Sequence, residues 1–248
     1  MKMAVYACSD MHGCLHFYNE IKKMLKPEDQ VFFLGDAGDR GPHPWECIKA
    51  ILNDPQWVYI KGNHELMLID CLEDYRDDGY PSYRSASRLS SNGGDQSYEE
   101  AIQDPEWLKV LGQLKRLPNH AEYQNANGER VLLSHAGFTP WITEGNQLRW
   151  PIERDLVWDR EHFFDGWPDD EICDNMVIVH GHTPTIYLAD HYLPWQFKDV
   201  EVEPGAIWYE GNRKVDIDSG AFFSGYFTLL DLDTWDEHVF ETEIAEDN

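Results

Sequence analysis

The stretch VFFLGDAGDRG (31–41) indicates how this chain folds. Its four leading apolar residues are typical of a buried strand, and a polar loop with three glycines follows at once. A short apolar run that ends in a polar loop occurs at four further places. These are MAVYACSDMHG (3–13), WVYIKGNHE (57–65), RVLLSHAG (130–137) and MVIVHGHT (176–183). The pattern predicts five buried strands, each followed by a loop that carries metal-binding side chains.

Helices are predicted after the first three of these loops, over 15–25, 44–52 and 65–75. A strand, a helix and a second strand form a βαβ unit, in which the two strands are parallel. The loops after the carboxyl ends of parallel strands meet at one edge of the sheet, where ligands bind. We therefore expect an α/β fold in which five loops, far apart in the chain, form one site.

The chain has 248 residues, enough for one large domain. No linker rich in Pro, Gly or Ser interrupts it, so we expect a single domain over 1–248. The polar segment 77–99 is expected to be a loop or short excursion over the site. The segment 186–213 is rich in Trp and Tyr and is expected to be an inserted hairpin, with substrate contact and a satellite hydrophobic cluster as equal alternatives. Strands that complete a second sheet are expected at 215–218, 226–233 and 236–242.

The chain is strongly acidic. Lys and Arg number 20 and Asp and Glu number 46, so the formal net charge is −26. A field of this sign repels polyanions, and we expect neither nucleic acid nor a membrane as a partner. No apolar run approaches the roughly 20 residues that cross a bilayer, and the five cysteines form no C-x-x-C pair. These features predict a cytoplasmic protein, and none of them indicates an oligomeric state.

Taken together, the motifs resemble those of the phosphoprotein phosphatases, a family within the calcineurin-like metallophosphoesterases. The likeness extends over nearly the whole chain and points to the bacterial and phage branch of lambda-type serine/threonine protein phosphatases. Ser9 stands where the family usually has Gly. The motifs that carry the resemblance are SDMHG (9–13), GDAGDRG (35–41), GNHE (62–65), SSNGGD (90–95), SHAG (134–137), VWDR (157–160), HGHTP (180–184) and DIDSGAFFSGYFTLL (216–230).

The resemblance implies a fold and a cofactor. The fold is a four-layer αββα sandwich, in which two mixed sheets are flanked by helices. The cofactor is a pair of divalent metal ions, and the carboxylate of Asp36 would bridge them. The resemblance assigns the first ion to Asp10, His12 and Asp36, and the second ion to Asp36, Asn63, His135 and His182.

The resemblance also implies catalytic roles. His64 would protonate the leaving group, because the alkoxide of a serine or threonine leaves poorly without a proton. The carboxylate of Asp39 would orient the His64 imidazole. Arg40 and Arg160 would hold the phosphate together with Asn63 and His64, since the planar guanidinium fork makes paired hydrogen bonds to phosphate.

The chemistry of these side chains agrees with a dinuclear site. Imidazole and amide oxygen suit Mn²⁺, Fe or Zn better than Ca²⁺, and the family likeness favours Mn²⁺. Two such ions, about 3.5–4 Å apart, clamp the oxygens of a phosphate and lower the pKa of bound water. Direct attack by a metal-bridging hydroxide is therefore the expected mechanism.

The predicted function is that of a serine/threonine, or dual-specificity, protein phosphatase whose partner is a phosphorylated protein or peptide. One alternative hydrolyses dinucleoside polyphosphates such as diadenosine tetraphosphate at the same site, although GNHE and GHTP favour the phosphatase. Another is a non-catalytic metal-binding interaction module. Two residue assignments also have alternatives, because His180 lies close to His182, and Arg149 and Arg154 lie close to Arg160.

Overall fold

The computed structural model of the chain describes residues 3–145, 147–198 and 202–242. The strands are β1 (Val5–Cys8), β2 (Gln30–Phe33), β3 (Trp57–Tyr59), β4 (His120–Gln124), β5 (Arg130–Ser134), β6 (Trp141–Ile142), β7 (Leu148–Arg149), β8 (Met176–His180), β9 (Ile207–Tyr209), β10 (Lys214–Asp216), β11 (Tyr226–Asp231) and β12 (Glu237–Glu241). The helices are α1 (Leu15–Met24), α2 (Pro44–Asn53), α3 (Asn63–Asp78), α4 (Tyr83–Ser90), α5 (Asp95–Gln103), α6 (Trp107–Leu114), α7 (Glu153–Trp158), α8 (Thr185–Tyr187) and α9 (Ala221–Ser224).

Ten of these strands form two five-stranded mixed sheets. The first sheet has the order β12-β11-β1-β2-β3, in which β1, β2 and β3 are parallel and β11 and β12 are antiparallel additions. The second sheet has the order β4-β5-β8-β10-β9, in which β5, β8 and β10 are parallel and the edge strands are antiparallel. Within the described ranges, the short strands β6 and β7 pair with each other and join neither large sheet.

Alternating side chains along the strands separate the layers. Phe33 of β2 faces the helices and shares a buried cluster with Phe17 of α1 and Ile48 of α2. Its neighbour Phe32 points the other way, into a second cluster with Val131 of β5. A third cluster lies on the far side of the second sheet, next to α7. The α/β class, with two mixed sheets flanked by helices, is therefore confirmed.

Helix α3 begins earlier than the sequence pattern suggests. It starts at Asn63 rather than at 65. The backbone N–H of Gly62 donates to Glu65 Oε2 at 2.8 Å, which satisfies a donor at the start of the helix. Asn63 and His64 therefore lie in the first helical turn, whose geometry fixes where their side chains point.

The loop alternative for residues 77–99 and the sheet expected for the last two strands are wrong. Residues 77–99 are not mainly a loop, because α4 and α5 occupy much of them and bury Leu89 and Ser97. Ser82 caps α4, since its Oγ accepts a hydrogen bond from Ser85 N at 3.3 Å.

Strands β11 and β12 complete the first sheet rather than the second. Phe227 of β11 belongs to the cluster under the helices, which places this strand beside β1.

The segment 186–213 begins with helical turns. Helix α8 continues into a π-helical turn over Leu188–Tyr192, and residues 199–201 lie outside the described part. A hairpin of β9 and β10 follows, with Val215 opposite Trp208. The single domain and the insertion remain predictions. None of the helices in the described ranges combines the length and apolar character that crossing a bilayer demands.

Candidate metal centre

The loops after β1 and β2 run side by side at the edge of the first sheet. Asp10 N donates to Gly35 O at 3.0 Å, and His12 N donates to Asp36 O at 3.0 Å. Asp10, His12 and Asp36 have φ values of 54°, 44° and 60°. This left-handed conformation is uncommon for residues with a Cβ and occurs where surrounding contacts enforce it. The backbone therefore turns these three side chains toward a common point.

Glycines allow the loops to approach each other closely. A Cβ on Gly35 would lie 2.5 Å from Gly62 N, and Gly35 has a φ of 103°. A Cβ on Gly181 would lie 2.3 Å from Asp10 Oδ2. Residues larger than Gly would separate the loops of β1, β2, β3 and β8, which carry the site.

The carboxylate of Asp36 lies at the middle of the cluster. Its Oδ2 is 3.4 Å from His135 Nε2, 3.7 Å from His64 Nε2 and 3.8 Å from His12 Nε2. Burial alone would raise the pKa of Asp36, but the neighbouring imidazoles of His135 and His64 outweigh burial and lower it well below its usual value. A negative charge is thus held between several nitrogen donors.

Two of these imidazoles are oriented in the same way. His12 Nδ1 donates to Gly38 O at 3.0 Å, and His135 Nδ1 donates to Leu34 O at 2.8 Å. A backbone acceptor on Nδ1 directs Nε2 of each ring toward Asp36, as in many metal-binding histidines. One imidazole from each sheet, that of His12 and that of His135, thereby points its Nε2 toward the Asp36 carboxylate.

The donors on the side of the second sheet form an electron-rich pocket. Asn63 Oδ1 lies 2.8 Å from His135 Nε2. Burial would lower the pKa of His135, but the carboxylates of Asp36 and Asp10 outweigh it and raise the pKa to about 10. His182 Nε2 is buried and has no hydrogen-bond partner among the described residues. The pocket therefore favours a positive charge, which a divalent cation supplies, and these donors fit such an ion.

The structure brings all six sequence-predicted ligands together. One trio of ligand atoms, from Asp36, His135 and His182, lies within 4.8 Å of one another, and so does a trio from His12, Asp36 and His64. Asp10 Oδ1 is 3.8 Å from His12 Nε2, and Asp10 Oδ2 accepts from His182 N at 2.8 Å. Two divalent ions that share Asp36 would be held by these groups, and when bound they supply Lewis acidity for phosphate hydrolysis.

His64 sits between two carboxylates. Its Nδ1 is 2.5 Å from Asp39 Oδ2, and its Nε2 is 3.7 Å from Asp36 Oδ2. Burial would lower the pKa of His64, but Asp36 and Asp39 outweigh burial and raise it. A protonated imidazole that is fixed by Asp39 can donate a proton from Nε2. His64 also belongs to the first trio of possible ligands, so its role as an acid remains a prediction.

Comparison with known proteins places the chain in a family. The profile described as "Calcineurin-like phosphoesterase" matches residues 3–217, most of the chain. The chain belongs to the calcineurin-like phosphoesterase family. This family uses a dinuclear metal centre, and the described residues include two groups of side chains that could hold metal ions.

Its relatives within the calcineurin-like phosphoesterases carry several names. It is 24% identical to the asymmetrical bis(5'-nucleosyl)-tetraphosphatase of Halalkalibacterium halodurans, over 89% of this chain and 87% of that protein. It is 28% identical to the symmetrical bis(5'-nucleosyl)-tetraphosphatase of Methylobacillus flagellatus, over 65% of this chain and 54% of that protein. The chain thus spans about half the length of this second relative. It is also 29% identical to serine/threonine-protein phosphatase 2 of Escherichia coli, over 60% of this chain and 68% of that protein.

A solved structure supports the same fold. The metallophosphoesterase of Sphaerobacter thermophilus superposes with a TM-score of 0.56 and 16% identity, over 98% of this chain and 89% of that one. At this identity the likeness concerns the fold alone.

The two candidate phosphate-binding arginines contact this calcineurin-like centre from different elements. Arg40 Nη1 lies 2.9 Å from His12 Nε2, and Arg40 Nη2 lies 3.1 Å from His64 Nε2. Arg160 Nε donates to Thr183 Oγ1 at 2.9 Å, beside His182 in the HGHTP loop. Both guanidinium groups therefore lie beside candidate metal ligands, and Arg40 contacts two of the site's imidazoles.

The structure distinguishes the competing candidates. His180 Nε2 is 2.6 Å from Tyr209 Oη, and His180 Nδ1 donates to Gly181 O at 3.1 Å, so both of its nitrogens already have partners. Arg149 lies over the Trp141 ring, 4.5 Å from its centroid, whereas Arg154 lines a neighbouring groove. Arg154 also lines a cavity together with Arg160, and the roles of His182 and Arg160 remain predictions.

Two supporting residues have no role in the sequence prediction. Glu65 accepts from Asp36 N at 2.8 Å, from Ala37 N at 3.0 Å and from Gly62 N, and thereby ties the loops after β2 and β3 together. Its place in GNHE is the signal that could have identified it. Ser97 of α5 accepts from Asp39 N at 2.9 Å and donates to Asp39 Oδ1. Ser97 lies two residues beyond the SSNGGD motif (90–95), and no sequence signal identifies it.

Proposed function

We propose that the protein is a dinuclear-metal phosphohydrolase whose preferred substrates are dinucleoside polyphosphates. The observation that carries this proposal is the similarity to the asymmetrical tetraphosphatase of Halalkalibacterium halodurans, which extends over nearly all of both chains. The sequence motifs favour a protein phosphatase, whereas most of the relatives compared carry tetraphosphatase names. The relatives support the alternative more strongly.

The geometry of the centre suits a phosphoanhydride. The guanidinium groups of Arg40 and Arg160 face the candidate metal ligands, so they can neutralise the phosphate that is attacked. A phosphate leaving group is far less basic than a serine alkoxide and needs less help from a proton donor. Proton donation from His64, which is held by Asp39, would then assist departure of the phosphate leaving group. It would limit the rate less than in ester hydrolysis.

A product analysis tests the proposal. Purified protein is supplied with Mn²⁺ and diadenosine tetraphosphate, and the nucleotides are separated by ion-exchange chromatography. Cleavage next to an outer phosphate gives ATP and AMP, whereas cleavage of the central anhydride gives two molecules of ADP. We expect efficient turnover to ATP and AMP. Absence of turnover, alongside rapid hydrolysis of a phosphopeptide, would overturn the proposal.

A second candidate function is that of a serine/threonine protein phosphatase acting on a phosphorylated protein or peptide. The similarity to serine/threonine-protein phosphatase 2 of Escherichia coli and the GNHE and GHTP motifs support it. The deciding quantity is the ratio of kcat/KM for diadenosine tetraphosphate to kcat/KM for a phosphoserine peptide. We expect this ratio to exceed 1, and a ratio below 1 would favour the protein phosphatase.

We also propose Mn²⁺ as the metal, with Fe and Zn as alternatives that the same ligands accept. Removal of metal with a chelator should abolish turnover, and stepwise addition of each ion should restore it. Mn²⁺ should restore the highest rate at two ions per chain. The predictions that nucleic acid and membranes are not partners, and that the protein is cytoplasmic, rest on charge and composition.

A further inference from the structure

A cationic groove lies beside the candidate metal centre. It has a volume of about 720 Å³ and runs between α4 and α7. We call it the arginine groove. The residues that line it are Leu66, Arg84, Arg88, Glu153, Arg154 and Trp158.

Helical spacing presents these side chains to one another. Arg84 and Arg88 are four residues apart on α4, and Arg154 and Trp158 are four residues apart on α7. Residues at this spacing share one face of a helix. The two faces meet where the Arg88 guanidinium carbon lies 5.0 Å from the centroid of the Trp158 ring.

The groove is continuous with the centre. The Trp158 ring packs edge-on against the His182 imidazole, with 5.9 Å between centroids. Leu66 follows Asn63 and His64 within the first turns of α3. Arg154 and Trp158 also line a second cavity of about 640 Å³, which includes Arg160. A ligand whose phosphate lies at the metals can therefore extend into the groove.

The charge of the groove contrasts with that of the molecule. The formal net charge is −26, yet five of the ten arginines line either the groove or the centre: Arg40, Arg84, Arg88, Arg154 and Arg160. The carboxylate in the groove, that of Glu153, is paired with Lys61 at 2.8 Å. Among the described residues, Arg84 and Arg154 have no ion pair within 4.0 Å, and Arg88 has one, with Asp70 at 3.4 Å. These guanidinium groups are thus available to an anionic ligand.

We propose that the arginine groove binds the part of a dinucleoside polyphosphate that extends beyond the phosphate held at the metals. This inference rests on the proposed function. The exposed guanidinium groups of Arg84 and Arg154 would pair with the distal phosphates, because planar guanidinium forks match phosphate oxygens. The stacked pair of Arg88 and Trp158 would offer a flat surface to the terminal nucleobase.

The test compares a long substrate with a short one. The variants Arg84→Gln and Arg154→Gln remove charge at exposed positions that make no described ion pair, so folding should be retained. For each, kcat/KM is measured with diadenosine tetraphosphate and with p-nitrophenyl phosphate, which has no second phosphate or nucleoside. We expect the ratio of the two values to fall about tenfold in each variant, mainly through KM for the dinucleotide, as loss of one charge-assisted contact predicts.

Two controls make the result specific. Arg116→Gln removes an equally exposed charge that lines a different cavity and should leave the ratio within about twofold. In the unmodified protein, KM for the dinucleotide should rise more steeply with salt than KM for p-nitrophenyl phosphate, and the groove variants should lessen that difference.

The possible results separate failure of the groove assignment from failure of the proposed function. A ratio that falls no further in the groove variants than in Arg116→Gln would overturn the groove assignment while leaving the proposed function intact. Groove variants that impair only the hydrolysis of acidic phosphopeptides would also overturn it. Unmodified protein that does not hydrolyse diadenosine tetraphosphate, yet hydrolyses p-nitrophenyl phosphate, would overturn the proposed function and the groove assignment with it.

Discussion

The two sheets hold their parts of the metal centre by different physical means. The loops of the first sheet depend on the backbone, since Asp10, His12, Asp36, Asp39 and Arg40 all have positive φ values. Hydrogen bonds between neighbouring loops and to Glu65 maintain these conformations. Such an arrangement leaves little room for added atoms.

The loops of the second sheet share this backbone feature at His182, which has a φ of 70°, and depend in addition on buried polar side chains. Lys214 Nζ donates to His162 O at 2.7 Å, and His162 Nε2 donates to Ala136 O at 2.8 Å, next to His135. His180, at the end of β8, is held by Tyr209. The comparison teaches that both halves of the site should be sensitive to steric changes, and that the second half should also be sensitive to pH.

The largest effect should come from the residue that both halves share. Asp36→Asn removes the negative charge that faces three imidazoles, so neither ion should bind tightly. We expect turnover to fall by at least about 10³-fold, the scale of metal-ion catalysis. Metal content measured by mass spectrometry should drop as well. Asp77→Asn, at an exposed carboxylate, is the matched control, and retention of two tightly bound ions in Asp36→Asn would contradict the bridging role.

A smaller effect is expected where the first sheet contributes proton transfer rather than metal binding. His64→Asn should leave metal content nearly intact and lower kcat by roughly 10²–10³-fold, the lower part of the range for general acid catalysis. His43→Asn changes an exposed histidine and should not alter kcat. If His64→Asn loses both metals, His64 acts as a ligand and its assignment as the acid is wrong.

Steric sensitivity of the first sheet can be measured with a pair of glycines. Gly35→Ala places a Cβ 2.5 Å from Gly62 N at a φ of 103°, so we expect the free energy of unfolding to fall by about 3 kcal/mol. Gly79→Ala has a similar φ of 81° but open space around the Cβ, and it should cost about 1 kcal/mol. Urea unfolding of both variants measures the difference. Equal stabilities would show that the loops of the first sheet are not tightly packed.

The pH dependence of the second sheet can be measured at Lys214. Burial lowers the pKa of Lys214 to about 8, below its ordinary value of 10.5. Between these values the unfolded chain binds a proton that the folded protein does not, so the contribution of Lys214 to stability rises with pH. The stability of Lys214→Met relative to the unmodified protein should therefore fall by about 2 kcal/mol from pH 8 to pH 10.

Thermal or urea unfolding at several pH values provides this measurement. Lys109→Met, at an exposed lysine, should show no such trend. A stability difference for Lys214→Met that is independent of pH would mean that Lys214 keeps its ordinary pKa in the folded protein, and that the polar support of the second sheet is not pH-sensitive.

The sequence pattern was sufficient to predict the α/β class and the meeting of five loops at one site, and the family resemblance of its motifs supplied the six candidate metal ligands. Each ligand follows, or lies within a few residues of, a short apolar run, and parallel strands bring their carboxyl ends to one edge. The local pattern therefore placed Asp36 in a loop at this edge, and the resemblance gave it the role of a ligand. The helices after the first three loops were predicted for the same reason, because their signals are local.

Only the tertiary structure decided how these elements support and extend the site. It placed β11 beside β1, gave the nitrogens of His180 to other partners, and brought Ser97 to Asp39 and Lys214 to His162. It also placed α4 and α7, which are about 70 residues apart in the chain, opposite each other, so that they form the arginine groove. These outcomes depend on which faces of distant elements pack together, and the local order of residues does not encode that choice.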